Sequence, residues 1–355
     1  MHLRNIYIIS LTHVTDCKFE FLFSFYLIPF SYLIMYNSCM PILDVSNLNL
    51  SFKSENNLYQ ALFDVSFSLE KSKTLALVGE SGCGKTISAM SILGLLPKNA
   101  TITSGKINFE NQNLLDLTQQ ELQHIRGSKI ALIPQDPMTS LNPLYTIGNQ
   151  LMEVLKIHQK VEGDEAYQKA INSLKMVQIP SPEERLKSYP HEFSGGMKQR
   201  AIIAMALACN AQIIIADEPT TALDVTIQAQ IMNLLQEIKQ QTQTAILLIT
   251  HDLALVSENA DNIAVMYAGR IVETAPAKEF FANPKHPYSI ALLNAIPNNN
   301  TKLETIEGQP PAIQQNISGC RFHSRCKKCM EICTQQVPPN FNVGENHFCA
   351  CWLNQ

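Results

Sequence analysis

The stretch at 75–86 constrains the fold of this chain more strongly than any other part of its sequence. A short apolar run at 75–78 predicts a buried strand, and the residues at 87–96 predict a helix. Between them lies the pattern G-x-x-x-x-G-K-T, which is typical of a phosphate-binding loop and requires this strand-then-helix context. The loop consists of Gly79, Glu80, Ser81, Gly82, Cys83, Gly84, Lys85 and Thr86.

The residue types of this loop predict a site for a nucleotide with magnesium. Glycines allow the backbone to curl until its N–H groups point at an anion, where a Cβ atom would crowd the approach. The helix that follows adds the positive end of its dipole. Lys85 can reach the β- and γ-phosphates, and the hydroxyl group of Thr86 can bind Mg²⁺.

The charge balance argues against nucleic acid as a partner. The chain has 27 Lys and Arg residues against 31 Asp and Glu residues, a net charge of −4, and no basic arm or stripe. Its 355 residues suffice for two domains, and an apolar content of 46% fits an α/β protein.

The residues at 1–39 differ in character from the rest of the chain. An apolar run at 21–36 is shorter than the ~20 residues that a spanning helix needs, and Pro29 interrupts it. Few basic residues precede this run and no small-x-small cleavage site follows it, which disfavours a signal peptide. A clean domain start follows at Met40. We therefore expect Met40 to be the true first residue and 1–39 to be a doubtful extension, with a membrane anchor as the alternative.

The pattern is β-like at 42–69, where apolar and polar residues alternate, and helical at 147–188 until Pro180 and Pro182 break it. Next comes Ser194-Gly195-Gly196, directly before an apolar helical stretch. Serine and two glycines at the start of a helix predict either a second anion cradle or simply a capped helix.

A buried strand at 213–217 leads into two carboxylates, Asp217 and Glu218. Its apolar run suits a parallel strand that is covered on both faces. Acidic residues at the carboxyl end of such a strand lie in the ligand crevice of α/β sheets. Asp217 is suited to hold Mg²⁺ and Glu218 to polarise a water molecule, whereas a surface pair of acids is the alternative.

Two further apolar strands are each followed by a polar side chain that could contact a nucleotide or its metal ion. The strand at 130–133 is followed by Gln135, which fits either a strand cap or a ligand of Mg²⁺ that orients water. The strand at 245–250 is followed by His251. Because the carboxyl ends of parallel strands share one edge, we expect both side chains at the nucleotide site.

Taken together, these residues resemble the nucleotide-binding subunits of ATP-binding-cassette (ABC) transporters. The most telling feature is the Ser-Gly-Gly motif ahead of the acidic strand, which other phosphate-loop ATPases lack. The resemblance covers about 42–272 and implies an α/β fold, an ABC-type P-loop NTPase domain with a RecA-like core, an antiparallel β subdomain and an α-helical subdomain. Its motifs in chain order are the loop at 79–86, Gln135, Ser194-Gly195-Gly196, the strand at 213–218, Asp224 and His251.

The resemblance also implies how ATP is held. Two such domains meet head to tail, so that ATP in one phosphate loop is capped by the partner's copy of Ser194, Gly195 and Gly196. Asp224 matches the D-loop of the family. Tyr59 matches the place where the family stacks adenine, although it also fits an ordinary aromatic residue between two predicted strands.

The catalytic roles are implied in the same way. Glu218 is the general base for attack of water on the γ-phosphate, and His251 contacts that phosphate. Mg²⁺ is bound by Thr86, Gln135 and Asp217.

Three segments narrow the resemblance to the ATPases of dipeptide and oligopeptide importers, at 80–84, 135–143 and 189–197. Short motifs in the C-terminal part point to the same subfamily: His286-Pro287-Tyr288, Cys320-Arg321-Phe322 and Arg325-Cys326. The signature reads Phe-Ser-Gly-Gly-Met, as in the D member of the usual D/F pair. The implied function is ATP hydrolysis that energises peptide import at the cytoplasmic face of the inner membrane. The implied partners are a second ATPase subunit, two permease subunits and an extracytoplasmic peptide-binding protein, without nucleic acid.

Three other functions stay open at this point. The chain fits the ATPase of a nickel or other small-solute importer of the same subfamily. A soluble ABC ATPase outside transport would need a duplicated cassette, a coiled-coil insertion or a basic surface, and the sequence shows none of these. A regulatory subunit that does not hydrolyse ATP is the third.

The C-terminal part, which we assign to 276–355 beside an ATPase domain at 40–275, is rich in cysteine. Prolines and a polar run predict a linker from Ala277, with a short helix at 289–295. The nucleotide motifs favour a cytosolic location, where disulfides are rare, so clustered thiols are more typical of a site for Zn²⁺ or an iron–sulfur cluster. The Cys-x5-Cys-x6-Cys spacing does not match common zinc sites. The resemblance implies a [4Fe–4S] cluster, and the alternatives are Zn²⁺ or reduced thiols without a metal. Cys329 and Cys349 are additional thiols that compete for places as metal ligands. The implied ligands are Cys320, Cys326, Cys333 and Cys351.

Overall fold

Two β-sheets form the framework of this computed structural model, which describes residues 40–54, 57–221, 223–296 and 306–355. The doubtful extension at 1–39 lies outside the described residues. The strands are β1 (Leu43–Ser54), β2 (Asn57–Leu69), β3 (Thr74–Val78), β4 (Ala100–Phe109), β5 (Gln112–Asn113), β6 (Ile130–Ile133), β7 (Ile213–Asp217), β8 (Ala245–Thr250), β9 (Asn262–Tyr267), β10 (Arg270–Pro276), β11 (Phe341–Gly344) and β12 (His347–Cys349).

Helices surround these sheets, and none in the described ranges is both long and apolar enough to cross a membrane. The helix before the expected break ends at Met176, and Pro182 begins a new helix. The helices are α1 (Lys85–Leu93), α2 (Gln119–Ile125), α3 (Pro137–Ser140), α4 (Ile147–Gln159), α5 (Gly163–Met176), α6 (Pro182–Arg185), α7 (Gly195–Leu207), α8 (Val225–Thr242), α9 (Leu253–Asn259), α10 (Ala277–Ala282), α11 (Pro287–Asn294) and α12 (Glu331–Gln335).

The smaller sheet is antiparallel, with strand order β2-β1-β4-β5. Along β2, the side chains of Val65, Phe67 and Leu69 are buried, and the serines between them are more exposed. This alternation confirms the half-buried strand that the sequence predicts.

The larger sheet has the order β11-β12-β10-β9-β3-β8-β7-β6. The five strands from β9 to β6 run parallel to one another, and β10 pairs with β9 in the antiparallel sense. Both faces of β7 are covered, because Ile213 and Ile215 join one apolar cluster while Ile214 and Ala216 join another. The sequence prediction of a fully covered parallel strand is therefore confirmed. Parallel alignment also brings the carboxyl ends of β3, β7 and β8 to one edge, where the phosphate loop, Asp217 and the residues after β8 lie.

The C-terminal part is built onto the larger sheet. The linker predicted from Ala277 is wrong for its first residues, since α10 begins there and buries Phe280 completely. The helix predicted at 289–295 is confirmed as α11 (Pro287–Asn294). Strand β12 pairs with β10, with Cys349 opposite Glu273, so the tail extends the same sheet. Tail and ATPase core accordingly share one compact unit, Met40–Gln355.

Candidate functional site

The phosphate loop connects the buried strand β3 to helix α1, as predicted. Gly84 precedes the helix with a φ of 112°, a conformation that favours glycine. A Cβ atom on Gly79 would lie 2.1 Å from the carbonyl oxygen of Met266, so glycine is required there for packing. The buried Nζ of Lys85 donates to the carbonyl oxygens of Gly79 and Glu80, at 2.8 and 3.0 Å. The loop is therefore wrapped around its own lysine.

Thr86 and Asp217 meet behind this loop. The hydroxyl group of Thr86 donates to Oδ1 of Asp217 across 3.2 Å, although 131 positions separate them in the chain. Asp217 is 2% exposed, and this burial raises the pKa of its carboxyl group against the opposing hydrogen bond from Thr86. A buried carboxylate beside a hydroxyl group is an oxygen donor set that suits a hard cation such as Mg²⁺, which would compensate the buried charge.

Glu218 lies at the centre of a second cluster, with a φ of 45° that is uncommon for a residue other than glycine. Its carboxylate accepts hydrogen bonds from Nε2 of Gln135 at 2.8 Å and from the hydroxyl group of Thr221 at 3.0 Å. Nδ1 of His251 lies 3.1 Å from its other oxygen. Burial raises the pKa of Glu218, but the hydrogen bonds from His251 and Thr221 outweigh it, so the pKa is lowered overall. The carboxylate is thus kept in the ionised form that a base requires.

Both clusters open into one cavity of about 340 Å³, which Lys85, Thr86, Gln135 and Glu218 line at one end. This volume lies within the roughly 300–1,000 Å³ of typical ligand sites. The structure therefore brings the loop, Gln135, Asp217, Glu218 and His251 together, as the sequence predicts.

Ser194 and its two glycines lie elsewhere. Oγ of Ser194 accepts a hydrogen bond from the backbone N–H of Met197 at 3.3 Å and caps α7, which begins at Gly195. Asp224 caps α8 in the same way. None of the residues from 194 to 196 lines the nucleotide cavity in the described part of the chain. Within one copy, Ser194 is thus observed as a helix cap.

Comparison with known proteins assigns the chain to a family. A model described as "ABC transporter" matches residues 62–221, and one described as "Oligopeptide/dipeptide transporter, C-terminal region" matches residues 272–333. The probable peptide ABC transporter ATP-binding protein y4tR of Sinorhizobium fredii is 46% identical over 88% of this chain and 94% of its own length. The dipeptide transport ATP-binding protein DppD of Bacillus subtilis is 48% identical, with the same coverage of both chains. The chain belongs to the ABC transporter ATPase family.

Solved structures agree with this assignment. The ABC ATPase is similar to the ATP-binding cassette MJ0796, whose dimer was solved in a post-hydrolysis state bound to ADP and Pi. The TM-score is 0.59 with 27% sequence identity, over 66% of this chain and 98% of that one. The fold prediction of an ABC-type P-loop domain with mixed α/β sheets is therefore confirmed, and the chain is an ATP-hydrolysing transporter subunit.

The far end of the nucleotide cavity in the ABC ATPase differs from the sequence prediction. Tyr59 lies inside β2 rather than between two strands, and its register partner in β1 is Phe52. Phe52 lines the cavity together with Gln60 and Ala61, whereas Tyr59 is not among the described lining residues. The sequence analysis missed Phe52 because the pattern did not show which of two aromatic residues on paired strands faces the loop.

The tail also reaches the phosphate loop of the ABC ATPase, a contact that the sequence analysis missed. The hydroxyl group of Tyr288 accepts a hydrogen bond from the backbone N–H of Glu80 at 3.0 Å. Arg325 forms an ion pair with the Glu80 carboxylate. Tyr288 and Arg325 belong to tail motifs that indicate the subfamily, but no local signal in the sequence indicates that they contact Glu80.

The four cysteines assigned by resemblance line one small cavity of about 10 Å³, beside Phe322. Cys349 lies outside that lining and accepts a hydrogen bond from Asn354, and Cys329 is exposed. Burial raises the pKa of Cys320 to about 11, and the neighbouring thiols contribute to the shift. Four thiols are a donor set for a soft metal. Across the described ranges, however, no group of three or more His, Cys, Asp or Glu side chains has the geometry of a metal site.

Proposed function

We propose that this ABC ATPase hydrolyses ATP to energise the import of dipeptides or oligopeptides through a membrane transporter. The observation that carries the proposal is the hydrogen-bonded group of Gln135, Glu218 and His251 beside the phosphate loop, in a chain whose residues 272–333 match the peptide-transporter C-terminal region. The names of the relatives support the same substrate class.

In the proposed mechanism, Glu218 accepts a proton from the water that attacks the γ-phosphate, while Gln135 orients that water. His251 contacts the γ-phosphate, and Lys85 turns from its backbone carbonyl partners to the β- and γ-phosphates. Thr86, Gln135 and Asp217 would hold Mg²⁺, which neutralises charge on the phosphates when it is bound. The buried carboxylate of Asp217 beside Thr86 supports this donor set.

Two copies of an ATPase domain complete the proposed site. We propose that Ser194, Gly195 and Gly196 of one domain cap the γ-phosphate bound by the other, with Asp224 at the same junction as the D-loop. Their position at the start of the thirteen-residue helix α7 supports this role, because its backbone N–H groups and dipole favour an anion. The dimer of MJ0796 is a structural relative with such a two-domain form.

The proposed assembly contains a second ATPase subunit, two permease subunits and an extracytoplasmic peptide-binding protein, on the cytoplasmic face of the inner membrane. Residues 40–275 would form the ATPase domain, with a RecA-like core, an antiparallel β subdomain and an α-helical subdomain. Residues 276–355 would form the importer-type tail.

For adenine stacking there are two candidates, Phe52 and Tyr59. Replacement of each by alanine, with measurement of MgATP affinity, identifies the stacking residue, and the position of Phe52 in the cavity lining favours Phe52.

For the tail, we propose a [4Fe–4S] cluster on Cys320, Cys326, Cys333 and Cys351, with Zn²⁺ as the alternative. Their shared cavity supports this ligand set. Iron, sulfide and zinc are to be quantified in anaerobically purified protein. Cys351→Ser should remove the metal, whereas Cys349→Ser, next but one in the chain, should retain it. Metal-free wild-type protein, or equal loss in both variants, would contradict the assignment.

The function is tested with the whole transporter in proteoliposomes. We expect ATP-dependent uptake of a labelled dipeptide or oligopeptide, and loss of both uptake and hydrolysis in Glu218→Gln. Uptake of nickel without uptake of peptide would show that the substrate is a small solute and not a peptide. The assignment as an ATPase would remain. ATP binding without turnover in the assembled complex would contradict the hydrolytic role.

A further inference from the structure

The tail forms one wall of the nucleotide cavity. Pro311, Ile313 and Arg321 line it together with Phe52 and Gln60 from the antiparallel sheet. A C-terminal segment thus meets the ATPase domain at the site where a nucleotide would bind.

Arg321 in this wall is a buried cation whose Nε finds no hydrogen-bond acceptor among the described residues. The residue is 8% exposed, and its guanidinium carbon lies 4.0 Å from the centre of the Phe63 ring. The buried Nε has no hydrogen-bond acceptor, and none of the ion pairs within the described ranges involves Arg321. An aromatic ring attracts the positive charge but provides no lone pair for the N–H groups. Donors in this state are costly unless something else accepts from them.

Two neighbouring arginines show what Arg321 lacks. Arg325 pairs with Glu80, and Arg270 pairs with Asp64 at 3.2 Å. Arg270 also lies near the Phe63 ring, at 6.0 Å. Burial and then the positive charge of Arg270 lower the pKa of Arg321. Within the described ranges, Arg321 is therefore desolvated and repelled by Arg270, Tyr267 alone opposes the lowering of its pKa, and no carboxylate pairs with it.

The position of Arg321 indicates which end of a nucleotide it faces. The phosphate end of the cavity is marked by Lys85, Thr86 and Glu218. Phe63, below the guanidinium group, belongs to β2 and donates its backbone N–H to the carbonyl oxygen of Gly269 at 2.9 Å. Ala61 and Gln60 of the same strand line the cavity together with Phe52, on the side proposed for adenine. Gly269 also lines it and donates its backbone N–H to the carbonyl oxygen of Cys83 at 2.8 Å, which ties this side to the phosphate loop.

We infer that Arg321 is a nucleotide-binding residue whose guanidinium N–H groups bind hydrogen-bond acceptors on the adenosine end of ATP. The inference rests on the proposed function, because it assumes that the cavity binds ATP. If Arg321 binds ATP, the tail is a direct part of the nucleotide site. ATP then provides hydrogen-bond acceptors for a guanidinium group whose Nε has none among the described residues.

The test compares Arg321→Met with the wild-type full chain. Methionine keeps an unbranched apolar stem against Phe63 but has no charge and no donors. We expect the Kd for MgATP, measured by calorimetry, to rise about tenfold or more, as for the loss of a hydrogen bond to a charged group. The Kd for tripolyphosphate, which lacks adenosine, should stay unchanged. Arg270→Ala is the matched control, since it removes a cation from the same ring and should leave both constants unchanged.

Thermal unfolding separates this role from a structural one. Without nucleotide, Arg321→Met should melt at or above the wild-type temperature, because an unpartnered buried cation is gone, and the stabilisation by MgATP should shrink. A lower melting temperature with an unchanged MgATP shift would overturn the inference, as would an equal loss of tripolyphosphate binding. If wild-type protein fails to bind MgATP, the proposed function itself fails. If wild-type protein binds MgATP and Arg321→Met binds it with the same Kd, the inference fails and the proposed function stands.

Discussion

Arg325 binds both carboxylate oxygens of Glu80, although 245 positions separate the two residues in the chain. The N–O distances are 2.6 and 3.0 Å, and the Arg325 side chain is 4% exposed. The Nε group of Arg325 donates to the carbonyl oxygen of Glu307 at 3.0 Å. Because Glu80 belongs to the phosphate loop, the tail fixes the conformation of that loop through a fork-shaped, charge-assisted contact.

We expect this pair to contribute to both stability and nucleotide binding. Arg325→Ala and Glu80→Gln should each lower the free energy of unfolding by about 2 kcal/mol, between the values for exposed and buried ion pairs, since Glu80 is partly exposed. Both should also weaken MgATP binding, because the loop loses its outer support. Urea unfolding of the single and double variants measures the coupling energy. Strictly additive effects would show that the contact is energetically unimportant.

The second prediction concerns Glu218 as the base. Glu218→Gln keeps the shape of the side chain and its contacts with Gln135 and Thr221, but cannot accept a proton. We expect ATP turnover to fall by a factor of about 10²–10⁴, the usual contribution of a general base, while MgATP still binds. Single-turnover hydrolysis and nucleotide binding are to be measured on the same protein. Glu183→Gln, at a surface ion pair, is the control with unchanged turnover. Full activity of Glu218→Gln would remove Glu218 from the mechanism.

Ser194 should act twice, as a helix cap within its own chain and as a contact to ATP across the dimer. Ser194→Ala is expected to cost about 1 kcal/mol of stability through loss of the cap. Thr146 caps α4 with nearly the same geometry, through a 3.2 Å hydrogen bond from Asn149, and is the matched control. Thr146→Ala should cost a similar stability but leave hydrolysis in the assembled transporter unchanged, whereas Ser194→Ala should reduce it strongly. Equal hydrolysis in the two variants would limit Ser194 to its capping role.

Asp261 should make stability depend on pH in the acid range. Burial raises the pKa of Asp261, but the backbone N–H of Thr74 and the ammonium group of Lys239 outweigh it, so the pKa is lowered overall. A lowered carboxyl pKa contributes stability above the unfolded value of about 3.9, and this contribution is lost as pH falls through the folded value.

Asp261→Asn should therefore lower the free energy of unfolding by about 1.5–3 kcal/mol at pH 7, as for hydrogen bonds to a charged group. The difference from wild type should shrink as the pH falls below about 4. Asp64→Asn, at an ion pair whose carboxylate is 54% exposed, should change stability by about 1 kcal/mol or less. Denaturant unfolding between pH 3 and 7 measures both variants. A constant difference over this range would show that the Asp261 charge does not stabilise the fold.

Local pattern was sufficient for the phosphate loop and for the strand-end residues. An apolar run followed by glycines, lysine and a helix has few structural solutions, so Lys85 and Thr86 lie where their motif predicts. Gln135, Glu218 and His251 could be predicted to meet because each follows a parallel strand, and parallel strands present their carboxyl ends at one edge. The sequence by itself thus determined the fold class and which strand-end side chains meet beside the phosphate loop.

Only the tertiary structure decided which residues line the rest of the cavity and what the tail contacts. The choice between Phe52 and Tyr59 depends on the register of two paired strands, which a β-like pattern does not encode. The stretch at Ala277 has the composition of a linker, yet burial of Phe280 against the sheet makes it a helix. Arg321 lines the cavity beside the phosphate loop, and Arg325 pairs with Glu80 of that loop across more than two hundred positions. Contacts at that separation come from packing of the whole chain, and no local signal in a single sequence marks them.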